Sequence, residues 1–308
     1  MVSTFVVRKK CPACYADTAK ELYSASLSSP PIGDYLEAFY AHQGGIDLAA
    51  LEGGEYVLME CGACGLVFQR DVLSDRLMGR LYEEWIDPLR SLALYEAETG
   101  VSHVLAQVRQ IADLIQFMGQ PPAQIKVLDY GMGWGHWCRI AGTFGLDVYG
   151  LELSQAKIVQ AQNKGVASIS TDDLQHYSFD FINVEQVLEH LPDPLQTLTN
   201  LARNLRPGGL VRIGVPDGWN IKKRLKAVNW QASKSDRYSL NPIAPLEHVN
   251  CFNRSSLISM ARRAGLEPIS IPSRHALSCS GRIRSLPRPL YYALRGSYST
   301  TQYFRRPS

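Results

Sequence analysis

Four of the seven cysteines form two pairs with the spacing of metal ligands. Cys11 and Cys14 make one C-x-x-C pair, and Cys61 and Cys64 make the other. Two intervening residues let one tight turn direct both sulfurs at a single tetrahedral ion. Because all four ligands would be cysteines, no coordination position would remain open. The sequence therefore predicts a structural zinc ion; buried incidental cysteines or a redox pair are the alternatives.

Alternating glycines mark a second candidate site. Gly131, Gly133 and Gly135 follow an apolar strand that ends with Asp129 and Tyr130. Glycine lets the backbone pass close under a ligand, because it has no Cβ atom. The dinucleotide fingerprint G-x-G-x-x-G needs its third glycine one position later, so the pattern argues against NAD and against a pyrophosphate site.

Acidic residues follow the next strands, where they suit a nucleoside. Glu152, followed by Leu153, comes at the end of the strand after the glycines, and its carboxylate can accept both ribose hydroxyls. Asp172 or Asp173 is expected near an adenine amino group, and Glu185 ends a further strand. A Rossmann-like fold with unused acids is the structural alternative. The predicted cofactor residues are Asp129, Tyr130, Gly131, Gly133, Gly135, Glu152, Leu153, Asp172, Asp173 and Glu185.

Two histidines are candidates for a catalytic base. His190 follows the fourth predicted strand, and Glu247-His248 follows a long stretch without period. Histidine titrates near neutral pH, and a flanking carboxylate can orient its ring. We expect His248, oriented by Glu247, to remove a proton from an acceptor, with His190 as the alternative base. A purely structural role is the other interpretation of either histidine.

Apolar runs alternate with helical patterns from residue 125 to residue 215. This alternation predicts right-handed crossovers and a mostly parallel sheet, preceded by an amphipathic helix over 98–118 that Gly119 ends. Residues 217–250 lack a period and are expected to form a lid or binding loop. The predicted strands cover 125–130, 148–151, 166–169, 179–184, 210–215 and 268–271, and the predicted later helices begin near Trp134, Ser154, Pro194 and Arg254.

Composition narrows the class of protein. Of 308 residues, 45% are hydrophobic and 20% charged, as in ordinary globular proteins, and no apolar run is long enough to span a bilayer. Met1 to Lys10 lacks a signal-peptide pattern, so we expect a cytoplasmic protein with reduced thiols. A net charge of +3 is low for a dedicated nucleic-acid-binding protein, so nucleic acid is not the expected partner.

The ordered motifs resemble those of class I S-adenosylmethionine-dependent methyltransferases. They are the glycine loop, Glu152, the F-D-x-I strand from Phe179, V-L-E-H-L around His190 and L-R-P-G-G from Leu205, and the match covers 126–217. The resemblance implies an α/β, Rossmann-like fold with a seven-stranded mostly parallel sheet and helices on both faces, plus a small N-terminal zinc-ribbon-like domain. It also implies that the glycines border the methionine part of the cofactor, Glu152 the ribose and Asp172 the adenine.

The cysteine pairs, the methyltransferase motifs and the later Glu247-His248 pair together resemble sugar C-methyltransferases of natural-product or surface-glycan biosynthesis. In those enzymes the histidine matched by His248 is the proposed base, which implies a small-molecule acceptor such as a sugar or nucleotide sugar. Two alternatives remain open. One is an RNA methyltransferase with a zinc module, although Glu185-Gln186-Val187-Leu188 lacks the N-P-P-Y type sequence. The other is a noncatalytic scaffold that binds zinc and a nucleoside.

Three parts are expected along the chain: a zinc-binding module over 1–90, a methyltransferase domain over 98–280 and a basic and aromatic tail over 281–308. The tail mixes arginines with residues such as Leu290, Tyr291 and Phe304. It is expected either to lie as an interfacial helix on anionic lipid or to pack on its own domain or a partner subunit.

Overall fold

The computed structural model describes residues 4–98, 100–234, 236–271 and 300–308. The chain forms two compact units. Unit 1 comprises Met1–Glu96, Gln186–Thr197 and Val215–Arg263, and unit 2 comprises Ala97–Glu185, Leu198–Gly214 and Ala264–Ser308. These boundaries differ from the predicted 1–90, 98–280 and 281–308. Two segments of the predicted methyltransferase domain fold with the N-terminal module instead.

The elements are numbered in chain order. The strands are β1 (Phe5–Val7), β2 (Ala19–Ser26), β3 (Glu55–Cys61), β4 (Val67–Gln69), β5 (Asp71–Leu73), β6 (Lys126–Tyr130), β7 (Asp147–Leu151), β8 (Ala167–Ser168), β9 (Phe179–Glu185), β10 (Leu205–Gly214), β11 (Asn250–Cys251), β12 (Glu267–Ile269) and β13 (Thr301–Arg305). The helices are α1 (Ile32–Tyr40), α2 (Asp75–Arg80), α3 (Pro88–Glu98), α4 (Val101–Met118), α5 (His136–Thr143), α6 (Gln155–Asn163), α7 (Pro194–Asn204), α8 (Ile221–Leu225) and α9 (Arg254–Arg263).

Unit 2 contains a seven-stranded sheet in the order β12-β13-β10-β9-β6-β7-β8. Strands β10, β9, β6, β7 and β8 run parallel to one another, and β13 runs antiparallel to β10 and β12. The prediction of a seven-stranded, mostly parallel sheet is confirmed. Because β6 and β7 are parallel neighbours, the glycine loop after β6 and Glu152 after β7 lie at the same edge of the sheet.

Helix α4 packs one apolar face into the core of unit 2. Its buried residues Ile111 and Leu114 join side chains of α5, β6, β9 and β10 in one cluster. The helix ends at Gly119, whose left-handed φ of 64° suits glycine, as the sequence predicts. In the described parts of the chain, α4 and the other helices are too short or too polar to cross a membrane.

The end of the chain is a strand of this sheet. The last part of the predicted tail over 281–308 packs on its own domain, which was one of the two expected arrangements, because Thr301–Arg305 form β13 between β10 and β12. Phe304 is fully buried there, which argues against the interfacial alternative for this residue. Burial of this aromatic side chain and pairing on both strand edges stabilise the strand. The rest of the predicted tail, 281–299, lies outside the described residues.

Unit 1 joins two antiparallel sheets to a core drawn from distant parts of the chain. One sheet has the order β11-β4-β3-β2, and the other pairs β1 with β5. Residues 217–250, expected to be a lid or binding loop, contain α8 and supply buried apolar side chains to this core. Their packing corrects the expectation of a lid, because these side chains belong to the core. The residues they contribute are Ile221, Leu225, Trp230, Leu240, Ile243 and Leu246.

Candidate functional site

The glycine loop of unit 2 has a backbone that only glycine adopts easily. Gly131, Gly133 and Gly135 have φ angles of 75°, 53° and 72°. A Cβ atom at Gly135 would come within 3.0 Å of the Cβ of Ala161, so the loop also needs glycine for packing. At Gly133 a Cβ atom would meet open space. One side of the loop is therefore packed, and Gly133 borders free volume.

Glu152 fixes the loop to the end of β7. Its Oε2 accepts the N–H of Gly133 at 3.0 Å, and its Oε1 accepts the N–H groups of Leu153 and Ser154 at 2.9 and 3.0 Å. The neighbouring Leu153 is 81% exposed. The structure thus brings the predicted residues Gly133, Glu152 and Leu153 together, with an apolar side chain exposed beside a carboxylate.

Asp129 lies behind the loop, in the interior of unit 2. Its carboxylate accepts the Asn183 amide at 2.8 Å, and the Cys138 thiol lies 3.6 Å away. Burial raises the pKa of Asp129 to about 6. At 4% exposure, the side chain supports strands β6 and β9 and does not face the open side of the loop. Its half-buried neighbour Tyr130 has a pKa raised by burial.

The remaining predicted acids differ in what they contact. Asp173 accepts the hydroxyl of Ser170 at 2.6 Å and its N–H at 3.2 Å, which makes a local turn. Glu185 forms an ion pair with Arg212. Asp172 is exposed at the start of the same short helical turn. Of these three acids, Asp172 keeps its carboxylate outside a local ion pair or turn.

In unit 1, the two cysteine pairs converge. The four Sγ atoms of Cys11, Cys14, Cys61 and Cys64 lie within 4.8 Å of one another, and all four residues are buried. The Sγ atoms of Cys11 and Cys64 are 3.6 Å apart, and those of Cys14 and Cys61 are 3.5 Å apart. A tetrahedral ion with bonds of about 2.3 Å separates its sulfur ligands by about 3.8 Å. The cluster therefore has nearly the size of a four-cysteine zinc site.

The cysteine turns are hydrogen-bonded to the segments that follow the candidate histidines. Tyr15, next to Cys14, donates its hydroxyl to the carboxylate of Asp193 at 2.9 Å. On the other turn, the carbonyl of Gly65 accepts the side-chain amide of Asn253 at 3.1 Å. These contacts anchor both segments to the cysteine cluster.

Arg8 ties the same segments together. Its guanidinium donates to the carbonyls of Gln69 at 2.8 Å, Pro192 at 3.2 Å and Val249 at 2.6 Å, and to Oδ1 of Asn250 at 2.7 Å. Burial lowers the pKa of Arg8 to about 9. Four neutral acceptors hold this half-buried guanidinium, which makes it a brace between β4 and the two histidine-bearing segments of unit 1.

The two predicted histidines lie side by side in unit 1. The ring centroids of His190 and His248 are 4.9 Å apart at 70°. Buried Glu189 places Oε1 3.9 Å from Nε2 of His190. One donor atom from each of the three side chains lies within 4.8 Å of the others, so the group has the composition of a metal site as well as of an acid–base site.

The predicted pairing of Glu247 with His248 needs correction. Nδ1 of His248 is hydrogen-bonded to the carbonyl of Asn241, whereas Glu247 accepts the Tyr40 hydroxyl at 2.7 Å. The orienting group is therefore a backbone oxygen and not the adjacent carboxylate. Burial lowers the pKa of His248 below its ordinary 6.5, and the charge of Glu247 opposes this shift.

Three further side chains contribute to this site and are not among the residues predicted from the sequence. Tyr82 places its hydroxyl 3.3 Å from Nδ1 of His190. Glu189 belongs to the V-L-E-H-L motif, so its place beside His190 offered a signal. Tyr40 and Tyr82 offered none, because their partners are distant in sequence.

The chain is similar to several named methyltransferases. It is 26% identical over 161 residues to the ubiquinone biosynthesis O-methyltransferase of Aliivibrio fischeri (strain MJ11). This match covers 49% of this chain and 67% of that relative. For the Thiobacillus denitrificans protein of the same name, the identity is 30% over 158 residues, 48% of this chain and 66% of the relative. The structure of plantazolicin methyltransferase BpumL in complex with SAH matches with a TM-score of 0.47 and 16% identity, covering 75% of this chain and 94% of BpumL.

The family profile covers the elements that build the glycine loop. Residues 103–271, more than half of the chain, match the family described as "Methyltransferase domain". This range contains β6 with the loop, β7 with Glu152, and both candidate histidines. The chain belongs to the family of methyltransferase domains.

Proposed function

We propose that the chain is an S-adenosylmethionine-dependent methyltransferase that acts on a small molecule. One observation carries the proposal: Glu152 at the end of β7 accepts the N–H of Gly133. This bond joins the residue suited to a ribose to the loop suited to the methionine part of the cofactor. Family membership supports the same chemistry.

The residues of unit 2 fit this cofactor. Gly133 borders open space, exposed Leu153 offers an apolar face to an adenine, and exposed Asp172 offers an acceptor to the adenine amino group. Glu152 already accepts three N–H groups and has about four acceptor positions, so a ribose hydroxyl would take the remaining one. The bound cofactor supplies an electrophilic methyl group on a positively charged sulfur.

His248 is the proposed base. A carbonyl oxygen only accepts, so the bond to Asn241 requires a hydrogen on Nδ1 of His248. A neutral imidazole then carries its lone pair on Nε2, ready to take a proton from the acceptor. His190, contacted by Glu189 and Tyr82, is the alternative base.

The proposed acceptor is a sugar or nucleotide sugar, on the strength of the resemblance to sugar C-methyltransferases. The names of the relatives favour a second candidate, O-methylation of a hydroxyl group as in ubiquinone biosynthesis. Either acceptor must lose a proton when it is methylated, so both use the same base.

The four buried cysteines are proposed to hold one structural zinc ion. Their separations of 3.5 and 3.6 Å support four-cysteine coordination, which would leave no position for a substrate. The ion would then hold the two cysteine turns of unit 1 and would take no part in the methyl transfer.

Binding and transfer test the proposal separately. Calorimetry should show binding of S-adenosylmethionine and S-adenosylhomocysteine but not of NAD. Labelled methyl groups should then be followed into nucleotide sugars, phenols and RNA. Transfer to a nucleotide sugar would support the first acceptor, and transfer to a phenol the second. Failure to bind either S-adenosyl compound would refute the function.

A further inference from the structure

A pocket of about 260 Å³ lies within unit 1. Helix α1 contributes Tyr35 and Phe39 to its wall, and the stretch after α8 contributes Trp230, Lys234, Leu240 and Asn241. These six residues, together with Ala38 and residues 231–233, line the cavity that we call the aromatic pocket. Its volume is just below the range of about 300–1,000 Å³ typical of sites for drug-sized ligands, so it suits one ring system with small substituents.

The apolar wall of the aromatic pocket is fixed by ring packing. Tyr35 and Phe39 are nearly parallel, with centroids 5.5 Å apart and an interplanar angle of 25°. Trp230 lies 5.7 Å from Tyr35 and 5.5 Å from Tyr56, and it is only 5% exposed. Rings held in this way present preformed flat surfaces, which favour a planar ligand.

The charge that lines the aromatic pocket is positive. Among the described residues that line it, Lys234 is the only charged one. Its ammonium group is exposed, so it can bind an anion without first breaking a buried ion pair. A single lysine beside apolar rings selects a ligand with one carboxylate or phosphate next to its ring.

The aromatic pocket adjoins the Glu247-His248 pair. Asn241, in its wall, accepts the hydrogen bond from His248. Burial raises the pKa of Tyr35, and the charge of Glu247 raises it further. Burial lowers the pKa of His248, and the charge of Lys234 adds a smaller effect in the same direction. Asn241 thus separates a ligand in the pocket from the proposed base.

We propose that the aromatic pocket binds a planar ring bearing one anionic group, as the part of the acceptor that does not react. The acceptor role rests on the proposed function. Two sources share this chemistry: a nucleobase followed by its phosphate, and an aromatic carboxylic acid. The ring would stack on the aromatic wall, and the anion would pair with Lys234.

Matched variants test the proposal in the full-length protein. Ala38 lines the pocket and is exposed, so Ala38→Trp fills the pocket without removing a core side chain. Lys234→Met removes the charge, and Lys226→Met removes an exposed lysine that is not part of the lining. Calorimetry would measure uridine monophosphate and 4-hydroxybenzoate, with uridine and phenol as uncharged counterparts.

We expect one of the two anions to bind more tightly than its uncharged counterpart, which also identifies the source. Ala38→Trp and Lys234→Met should each weaken that binding roughly tenfold or more, and Lys226→Met should leave it unchanged. Failure of both anions to bind would overturn the proposal. Equal losses in Lys234→Met and Lys226→Met would do so as well, because they would indicate nonspecific attraction.

A parallel titration with S-adenosylhomocysteine separates this inference from the proposed function. If S-adenosylhomocysteine binds and methyl transfer occurs with a KM unchanged by Ala38→Trp, the aromatic pocket is not the acceptor site, while the proposed function stands. If the anion binds and S-adenosylhomocysteine does not, the proposed function fails and the pocket loses its acceptor role.

Discussion

The rings of His190 and His248 meet edge to face in unit 1, with centroids 4.9 Å apart. Asn250 accounts for this approach. Its side-chain amide donates to the carbonyls of Leu188 and Leu191 at 2.9 and 2.7 Å, on either side of His190. Since Asn250 follows His248 by two residues, one buried side chain joins both histidine-bearing segments.

Replacement of His248 tests the base. His248→Ala should reduce kcat by about 100- to 10,000-fold while S-adenosylhomocysteine binding stays intact, as expected when general base catalysis is lost. His103→Ala, at an exposed histidine, is the matched control and should retain turnover. Near wild-type turnover in His248→Ala would transfer the role to His190 or show that no base is needed.

The pH profile of the wild-type enzyme checks the same assignment. A base works in its neutral form, and burial lowers the pKa of His248 below 6.5. Where deprotonation limits the rate, kcat should fall only when the pH drops below that lowered pKa and should be level through neutrality. A requirement for an added divalent cation would instead assign Glu189, His190 and His248 to a metal.

Replacement of Glu152 tests the cofactor site. Glu152→Ala removes the acceptor of the Gly133 N–H and the proposed ribose partner, so affinity for S-adenosylhomocysteine should fall at least about tenfold. Glu267→Ala, at an exposed acid of unit 2 that is not among the proposed cofactor residues, is the control and should have little effect. Calorimetry measures both variants. Unchanged affinity in Glu152→Ala would refute the assignment.

Asp129 should make the stability of unit 2 depend on pH. Its folded pKa of about 6 lies above the ordinary 3.8, so between these values the folded chain holds a proton that the unfolded chain has lost. The contribution of Asp129 to the free energy of unfolding is greatest below about pH 4. It falls as the pH rises through 6, by about 3 kcal/mol in total. Hydrogen exchange of the β6 amides at pH 4.5 and 7 measures the loss.

Asp129→Asn removes the titrating group, so this part of the pH dependence should disappear from β6. The exposed Asp17→Asn is the control and should keep it. Identical pH dependence in wild type and Asp129→Asn would show that the carboxylate is ionised in the folded protein throughout this range.

The cysteine cluster should contain one zinc ion per chain. Cys61→Ser should lose the zinc and lower the unfolding temperature of unit 1, because metal binding and folding are linked in four-cysteine sites. Cys138→Ala, at a buried cysteine of unit 2, should keep the zinc. Elemental analysis of protein purified without chelators measures the zinc content of the wild type and of both variants. Absence of zinc in the wild type would contradict the prediction, and a second equivalent would point to the histidine cluster.

The strands of unit 2 could be predicted because the local sequence determines them. Buried parallel strands such as β6 and β9 are short segments rich in apolar residues, and Gly119 ends α4 by its left-handed backbone. The place of β13 could not be predicted. Its five residues form a strand only because β10 and β12 supply both hydrogen-bonded neighbours.

The candidate site likewise has one part that local sequence predicts and one part that depends on tertiary packing. Gly133 and Glu152 are recognisable because their spacing follows from one strand–loop–strand unit. The bonds from Tyr40 to Glu247 and from Asn241 to His248 depend on how 217–250 packs in unit 1. That stretch has no period, and scattered apolar residues such as Trp230 determine its path, so sequence patterns could not place it.

The discontinuity of unit 1 has a consequence during synthesis. Met1–Glu96 leaves the ribosome before the later segments of unit 1, yet its core needs Trp230, Leu240 and Leu246 from the segment that ends at Arg263. At about 5–20 residues per second, the wait between Glu96 and Arg263 is roughly ten to thirty seconds. During that interval the nascent N-terminal segment exposes apolar side chains and the edge of β4, which pairs with β11 only later. Chaperone binding to the nascent chain should therefore be greatest before Arg263 emerges.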